Sequence, residues 1–343
     1  MRHVMIDHTR TITVPDAPDP VLTGPDGAIV AVDAATICGS DLHFFDGDIP
    51  VGDGLALGHE CIGRVVEVGP EVTSVSVGDR VLVSSVAGCG HCVGCATGDP
   101  VTCLSGPQVF GSGMLGGCQA THVAVPAADF QLLAIPDGVD DHAALLLTDN
   151  LATGWIGASK ADFEPGDTVA VIGLGAVGLC AVRSALALGA GAVVAFDPVR
   201  GRRVRAEADG AICPEGPTVE AIMEATAGRG AAAVIDAVAR DATLDDAFSA
   251  VRPGGTVSVI GVHDLDPYPF PMLMNLFRSV TLRTTTAPIQ QTWGDLIPRI
   301  LDGSLRTEGI ITHHVDLTDA ARGYELAADR SGDCLKVMLL PER

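Results

Sequence analysis

The chain has 343 residues, of which 47% are hydrophobic and 19% charged, a composition typical of a globular protein of about two domains. Its 43 acidic and 21 basic residues give a formal net charge of −22, which repels nucleic-acid phosphates and anionic lipids. We therefore expect neither nucleic acid nor a membrane as a partner. The first residues lack the apolar core of a signal peptide, so the predicted location is the cytoplasm.

The first part of the chain reads as a β-rich unit, with short apolar strands separated by glycine, proline and aspartate between residues 28 and 83. Within it lie Cys38-Gly-Ser-Asp-Leu-His43 and Gly58-His59-Glu60. Cysteine, histidine and carboxylate are ligand types that zinc binds, and an incomplete shell of protein ligands leaves room for a substrate. Taken alone, Cys38 and His59 could equally be a buried thiol and a structural histidine.

Four cysteines follow at close spacing: Cys89-Gly-His-Cys92-Val-Gly-Cys95, then seven residues, then Cys103. Four thiolates at this spacing can complete a tetrahedron around zinc, which leaves no position for a substrate. The pattern predicts a structural zinc that fixes a lobe at about residues 88–104.

Asp149 follows the apolar helical segment Leu145-Leu146-Leu147. A charge in this setting often caps a helix, and it could also supply a third ligand to the site of Cys38 and His59. The local pattern leaves both interpretations open.

A dinucleotide-binding pattern begins at residue 168. The apolar strand Thr168–Ile172 leads into Gly173-Leu174-Gly175-Ala176-Val177-Gly178, an apolar helix, a second strand and Asp197. Strand, glycine turn, helix, strand and acid in this order predict that the glycine turn and the helix start bind a pyrophosphate and that Asp197 binds the adenosine ribose.

Strands alternate with helices as far as Thr284, which predicts a parallel doubly wound sheet. From about Ala287 the pattern is less regular, and a final strand from Cys334 to Leu340 is predicted to rejoin the first domain. His313-His314 is predicted to be structural or exposed rather than metal-binding.

In this order, the Cys38–His43 run, the Gly-His-Glu segment, the four-cysteine lobe, the glycine turn and Asp197 resemble the zinc-dependent medium-chain alcohol dehydrogenases. The resemblance implies an α/β fold with a GroES-like β-rich catalytic domain at 1–150 and 287–343 and a Rossmann NAD-binding domain at 151–286. It also implies one catalytic and one structural zinc per chain, a nicotinamide cofactor, and a homodimer or homotetramer.

Residue by residue, the resemblance makes Cys38 and His59 ligands of the catalytic zinc, and Glu60 the adjacent acid that can approach the metal. Ser40 and His43 match a proton relay that runs through the cofactor ribose. Thr148-Asp149 resembles the bacterial secondary-alcohol and glutathione-independent formaldehyde dehydrogenases, in which an aspartate is the third zinc ligand.

Cofactor choice is predicted to be NAD, because the carboxylate of Asp197 would repel the 2′-phosphate of NADP. Arg200, Arg202 and Arg203 lie close enough in sequence to weaken this preference, although they also fit a solvated helix face. The resemblance also places Lys336 near the cofactor. Val262 is a further candidate for the cofactor site, and it could also line the substrate pocket or belong to the core.

These features predict an oxidoreductase that transfers a hydride between a primary, secondary or polyol alcohol and NAD, giving an aldehyde or ketone. One alternative is a formaldehyde dehydrogenase or aldehyde dismutase with tightly bound NAD, which Gly116-Gly117-Cys118-Gln119-Ala120 also resembles. The other is a redox sensor that binds the dinucleotide without turnover, against which the open metal site argues.

Overall fold

A computed structural model describes residues 1–51, 54–329 and 333–342 of the chain. The described residues form two compact units. The first comprises Met1–Ala152, Ala287–Gly303 and Thr307–Arg343, and the second comprises Thr153–Thr286 with Ser304–Arg306. Residues 52–53, 330–332 and 343 of the range predicted for the catalytic domain lie outside the described residues.

Seventeen strands occur in the described ranges. In chain order they are β1 (Met5–His8), β2 (Thr11–Thr13), β3 (Ala28–Ile37), β4 (Leu55–Ala56), β5 (Cys61–Val68), β6 (Arg80–Val83), β7 (Val86–Ala87), β8 (Gln108–Val109), β9 (His122–Val125), β10 (Leu132–Ala134), β11 (Thr168–Ile172), β12 (Ala192–Phe196), β13 (Ala231–Asp236), β14 (Val251–Val259), β15 (Thr281–Thr284), β16 (His313–Asp316) and β17 (Val337–Leu340).

Eleven α-helices occur in the same ranges. They are α1 (Asp41–Asp46), α2 (Ala128–Gln131), α3 (Asp141–Leu147), α4 (Asn150–Ser159), α5 (Ala176–Ala187), α6 (Arg200–Ala208), α7 (Thr218–Ala225), α8 (Asp241–Ala250), α9 (Met272–Arg278), α10 (Ile289–Leu301) and α11 (Ala320–Ala328).

Strand β3 organises the first unit. It is an almost continuously apolar and buried run of ten residues, as expected for a strand covered on both faces. It pairs antiparallel with β5, β9 and β17. The register with β17 sets Val337 opposite Ile37, so the chain returns to the first unit and brings Lys336 next to Cys38.

The second unit contains a parallel sheet in the order β12-β11-β13-β14-β15. Strands β11 and β13 are apolar and buried along nearly their whole length, as both faces of a parallel sheet require. The strand order reverses at β11, and ligands of such sheets bind at the carboxyl ends of the strands beside this point. Ile172 and Phe196 end β11 and β12 there, directly before Gly173 and Asp197.

The predicted fold class is confirmed: a β-rich unit is joined to a doubly wound α/β unit. The apolar run from Thr168 to Phe196 is the strand, helix and strand that its glycines indicated. Helix α8 ends at Ala250 and leads directly into β14, which begins at Val251. No helix in the described part of the chain is long and apolar enough to span a bilayer.

Candidate active site

Four potential metal ligands from three separate segments meet in the first unit. Cys38 follows the end of β3, His59 and Glu60 immediately precede β5, and Asp149 lies between α3 and α4. One ligand atom from each of the four lies within 4.8 Å of all the others. Cys38, His59 and Glu60 are buried, and Asp149 is partly exposed, which leaves its side of the cluster the most accessible. Asp149 therefore contacts the site that the sequence assigned to Cys38 and His59.

The separations within this cluster fit zinc. The Nε2 atom of His59 lies 3.3 Å from Oδ2 of Asp149, and Sγ of Cys38 lies 3.7 Å from the same oxygen. Ligands on a tetrahedral zinc with ordinary bond lengths are about 3.4 Å apart for nitrogen and oxygen and about 3.6 Å apart for sulfur and oxygen. The mixed donor set of thiolate, imidazole and carboxylate is also one that zinc accepts.

Glu60 is held by hydrogen bonds on the side of the cluster. Its Oε2 accepts from Nζ of Lys336 at 2.6 Å and from the Thr36 hydroxyl, and its Oε1 accepts from Nδ2 of Asn150 at 2.6 Å. Lys336 is only 2% exposed, and its Nζ also donates to the Ile37 carbonyl at 3.3 Å. Burial alone would lower the pKa of Lys336, but the charge of Glu60 raises it, so we treat this buried pair as ionised.

A chain of buried side chains orients His59 through its Nδ1 atom. Nδ1 of His59 lies 3.3 Å from Oδ1 of Asp41, whose Oδ2 accepts from the Cys38 backbone N–H at 2.9 Å. The same Oδ2 accepts from Nε2 of Gln119 at 3.1 Å, and the Gln119 carbonyl oxygen accepts from the Tyr324 hydroxyl at 2.8 Å. A carboxylate on the second ring nitrogen fixes the tautomer and ring orientation of a metal-binding histidine.

The electrostatics of this cluster favour a positive charge. Burial lowers the pKa of His59, but the charges of Asp41 and Cys38 and the hydrogen bonds with Asp149 and Asp41 raise it well above its ordinary value. A cation among these groups would supply the same positive charge, so the surroundings as well as the donor types suit a metal ion.

Ser40 and His43 lie one turn apart at the start of α1, beside the cluster. The Ser40 hydroxyl is 3.4 Å from Nε2 of His59. Nδ1 of His43 lies 3.0 Å from Oδ2 of Asp48, and the His43 side chain is partly exposed. Ser40 is thus next to the candidate metal position, and His43 is in contact with solvent.

The four cysteines of the predicted lobe also converge. Sγ of Cys95 lies 3.6 Å from Sγ of Cys92 and 3.9 Å from Sγ of Cys89, close to the roughly 3.8 Å expected between thiolates on a tetrahedral zinc. Backbone N–H groups support them, since Leu104 donates to Sγ of Cys92 and Cys89 donates to Sγ of Cys103. All four are free thiols and fit a closed zinc site.

The three glycines of the turn after β11 differ in their surroundings. Gly173 has a φ of +87°, a conformation that L side chains rarely adopt. A Cβ at Gly178 would lie 1.8 Å from the Gly173 carbonyl, whereas a Cβ at Gly175 would meet nothing within 4 Å. Gly173 therefore suits a tight turn, and Gly178 allows close packing of the helix on the strand. Gly175 leaves an open position that a pyrophosphate can approach. Ala176 and Val177 begin α5, where no acidic side chain opposes an anion.

Asp197 is buried at the end of β12 and is bound to this turn. Its Oδ2 accepts from the Leu174 backbone N–H at 2.8 Å, and its Oδ1 accepts from the Val199 backbone N–H at 2.8 Å. Arg202 approaches Oδ2 at 3.5 Å, and Arg203 donates to the Asp197 carbonyl at 2.8 Å. Arg202 and Arg203 therefore fold back on Asp197 rather than forming the solvated helix face that the sequence also allowed.

The two remaining candidates lie in different units. Val262 is exposed two residues after Ile260, near the carboxyl end of β14, which is the edge of the sheet that also carries Gly173 and Asp197. Lys336 belongs to the first unit, and its contacts are with Glu60 and Ile37. Its predicted contact with the cofactor stays a prediction, while its contact with Glu60 was not foreseen.

Sequence reasoning missed the side chains that surround the ligands, namely Thr36, Asp41, Gln119, Asn150 and Tyr324. Asp41 had a local signal, because an acid three residues after Cys38 can accept from its backbone N–H. Gln119 and Tyr324 are 205 residues apart and have no such signal.

Two family models match the chain. The alcohol dehydrogenase GroES-like domain matches residues 24–137, and the zinc-binding dehydrogenase domain matches residues 176–302. The first match contains the whole four-cysteine lobe, and the second begins at α5 directly after the first two glycines of the turn.

Curated relatives match over the whole length. A probable zinc-binding alcohol dehydrogenase of Mycobacterium tuberculosis is 58% identical over 100% of this chain and 89% of its own length. An alcohol dehydrogenase of Cupriavidus necator is 32% identical over 96% of both chains. Among solved structures, the alcohol dehydrogenase of Thermus sp. ATN1 has a TM-score of 0.92 at 35% identity, with 100% of both chains covered.

Proposed function

Because this chain belongs to the zinc-dependent medium-chain alcohol dehydrogenase family, a family of oxidoreductases, we propose that it oxidises an alcohol to an aldehyde or ketone with NAD as the hydride acceptor. The observation that carries the proposal is the convergence of Cys38, His59 and Asp149 in a mixed cluster that suits zinc. The relatives named above are described as alcohol dehydrogenases, and none as an aldehyde dismutase or a redox sensor.

We assign two zinc ions to the chain. Cys38, His59 and Asp149 would hold the catalytic zinc, with Glu60 close enough to approach it, and the four cysteines of the lobe would hold the structural zinc. When bound, the catalytic zinc supplies Lewis acidity that lowers the pKa of an alcohol by several units, as zinc does for water. With only Cys38, His59 and Asp149 as ligands, the protein would leave room at the metal for a substrate.

The residues of this chain handle the proton that leaves the alcohol. Ser40 can accept it, because its hydroxyl lies beside His59 at the candidate metal position. His43 can pass it to solvent, because its side chain is partly exposed and Asp48 holds its ring in place through Nδ1. Asp41 keeps the ring of His59 in one orientation throughout.

Gly173, Gly175, Ala176, Val177 and Gly178 would bind the pyrophosphate of NAD, and Asp197 its adenosine ribose. Arg202 and Arg203 at Asp197 also support a measurable affinity for NADP, since arginine suits a 2′-phosphate. The test is to compare kcat/KM for the two cofactors in wild type, Asp197→Asn and Arg202→Gln. We expect wild type to prefer NAD, Asp197→Asn to lose this preference and Arg202→Gln to strengthen it.

The overall proposal is tested with primary, secondary and polyol alcohols and added NAD, using protein whose zinc content has been measured. We expect NADH formation that depends on added cofactor, and a lower rate with a changed pH profile in Ser40→Ala and His43→Ala. Protein with two zinc ions that reduces neither NAD nor NADP with any of these alcohols would contradict the proposal. Activity without added NAD would instead favour the tightly bound cofactor of a dismutase.

We also propose that two copies of the chain associate through the edge of the second unit. Helix α9 exposes five large apolar side chains: Met272, Leu273, Met274, Leu276 and Phe277, the last 80% exposed. Strand β15 beside it forms one edge of the sheet, and its residues are exposed. An antiparallel pairing of this edge with its own copy satisfies a twofold axis, and α9 adds a cluster of exposed apolar side chains of the kind that marks an interaction site.

Sedimentation of Phe277→Asp tests this interface. We expect a smaller assembly than wild type, because a buried carboxylate without a partner opposes association. Val21→Asp is the matched control, since Val21 is 79% exposed and stands outside this patch. A wild-type monomer, or an unchanged assembly in Phe277→Asp, would refute the interface.

A further inference from the structure

Two histidines that are not among the candidate zinc ligands meet on the surface of the first unit. His142 lies in the first turn of α3, and His314 lies on β16, the edge strand of the larger sheet. Their Nε2 atoms are 3.3 Å apart, and their rings are stacked at a centroid distance of 5.4 Å with an angle of 29° between planes. The two residues are 172 positions apart, so their spacing in the sequence gave no sign of the pair.

The distance between the two nitrogens suits a shared metal ion. At 3.3 Å the two nitrogens lie at the long end of the range for a hydrogen bond. Two imidazoles bound to one tetrahedral metal at 2.0–2.1 Å per bond have their nitrogens about 3.3–3.4 Å apart. Each Nε2 atom faces the other, and the described residues offer neither ring a further hydrogen bond.

The surroundings of His314 also suit a metal. Partial burial lowers the pKa of His314, and the neighbouring His142 and His313 lower it further. Neutral imidazole is the form that binds metal, so the lowered pKa of His314 reduces the competition from protons at that residue. The net charge of −22 raises the concentration of cations around the protein.

We propose that His142 and His314 form an accessory site for a divalent transition metal of the kind that imidazole prefers, such as Zn²⁺, and that Ni²⁺ or Cu²⁺ can also bind there when the nitrogens move to the spacing of about 2.9 Å that square-planar or octahedral geometry requires. Water completes the coordination, and the ion joins the first turn of α3 to β16. Helix α3 ends at Leu147, two residues before Asp149, so occupancy of the accessory site stabilises the helix that leads into the candidate active site. The site does not depend on which alcohol, if any, the protein oxidises.

Nickel is the probe of choice, because it can be counted separately from resident zinc. Untagged protein of known zinc content is dialysed against increasing Ni²⁺, and both metals are measured in the same samples. We expect one nickel per chain to bind with no loss of zinc. His142→Gln and His314→Gln should each weaken nickel binding at least about tenfold, because even losing an outer-shell partner of a metal site costs about 10–100-fold.

His313→Gln is the matched control, since His313 neighbours the pair and hydrogen-bonds Thr312 instead. It should bind nickel as wild type does. Nickel should also raise the Tm of wild type and of His313→Gln and leave that of the two pair variants unchanged. If the two histidines only share a hydrogen bond, the protein will bind no additional nickel, and this result would overturn the proposal. Nickel uptake only in exchange for zinc, or unaltered nickel binding by His314→Gln, would also overturn it.

Discussion

The two candidate zinc clusters are built in opposite ways. The four-cysteine lobe takes all its ligands from fifteen consecutive residues, and backbone N–H groups of Cys89 and Leu104 support its sulfurs. The mixed cluster takes its ligands from separate segments between Cys38 and Asp149, and side chains as distant as Lys336 support it. A site that only has to hold its metal can be local. A site that must leave a coordination position open for a substrate needs other side chains of the protein to hold its ligands in place.

Loss of a lobe cysteine should have the largest effect on stability. In Cys103→Ser we expect one zinc per chain to be lost and the free energy of unfolding to fall by ~5 kcal/mol or more, because a structural zinc contributes folding energy directly. Elemental analysis and thermal unfolding measure both. Cys213→Ser, which alters a partly buried cysteine outside both clusters, should keep its metal and its Tm. Full zinc in Cys103→Ser would remove the lobe as a metal site.

Asp149→Asn should separate activity from stability. The substitution keeps the size of the side chain and removes the charge of the candidate third ligand, so zinc at the mixed cluster should be bound at least ~100-fold more weakly. We expect a similar loss in kcat/KM and a smaller loss in Tm than in Cys103→Ser. The exposed Asp137→Asn is the control. Two tightly held zinc ions in Asp149→Asn would exclude this aspartate as an essential ligand.

The buried pair behind the mixed cluster should behave as a unit. Lys336→Met leaves the carboxylate of Glu60 buried without its countercharge, and we expect it to destabilise the first unit by about 3–5 kcal/mol. The double variant Lys336→Met with Glu60→Gln should recover much of this loss, because neither charge remains. Urea unfolding of the two single variants and the double variant provides the comparison. Additive losses would show that the two side chains are not coupled.

Tyr324→Phe should have the smallest effect. It removes a single hydroxyl that donates to Gln119, which is itself linked to His59 through Asp41. We expect the free energy of unfolding to fall by about 1 kcal/mol. We expect a chelator to remove the zinc of the mixed cluster several-fold faster, while release from the lobe is unchanged. If the chelator removed each zinc from Tyr324→Phe at the same rate as from wild type, the hydrogen bonds from Tyr324 through Gln119 and Asp41 would have no effect on His59.

The same contrast explains what could be predicted from the sequence. The lobe and the glycine turn are contiguous, so the spacing of Cys89 to Cys103 and of Gly173 to Gly178 already contains their geometry. Strands β11 and β12 were equally easy to predict, because a strand that is buried on both faces has an unbroken run of apolar residues in the sequence.

The surroundings of the mixed cluster could not be predicted in this way. From the sequence, Lys336 was predicted to lie near the cofactor. The pairing of β17 with β3 brings its Nζ into contact with Glu60. Helix α9 carries an apolar sequence that could have been read as core, and only the fold shows that its side chains face outward. Long-range pairing decides such cases, and local patterns do not contain it.

The return of β17 to β3 also sets an order of events during synthesis. Residues 153–286 of the second unit are complete before Tyr324 and Lys336 have been made, and domains generally fold as units when their chain is available. We therefore expect the second unit to fold on the ribosome while β3 still lacks β17 as a neighbour. Protease resistance should appear in the second unit first during pulse-labelled synthesis. On the ribosome, the site of Cys38, His59 and Asp149 would then be the last part of the molecule to mature.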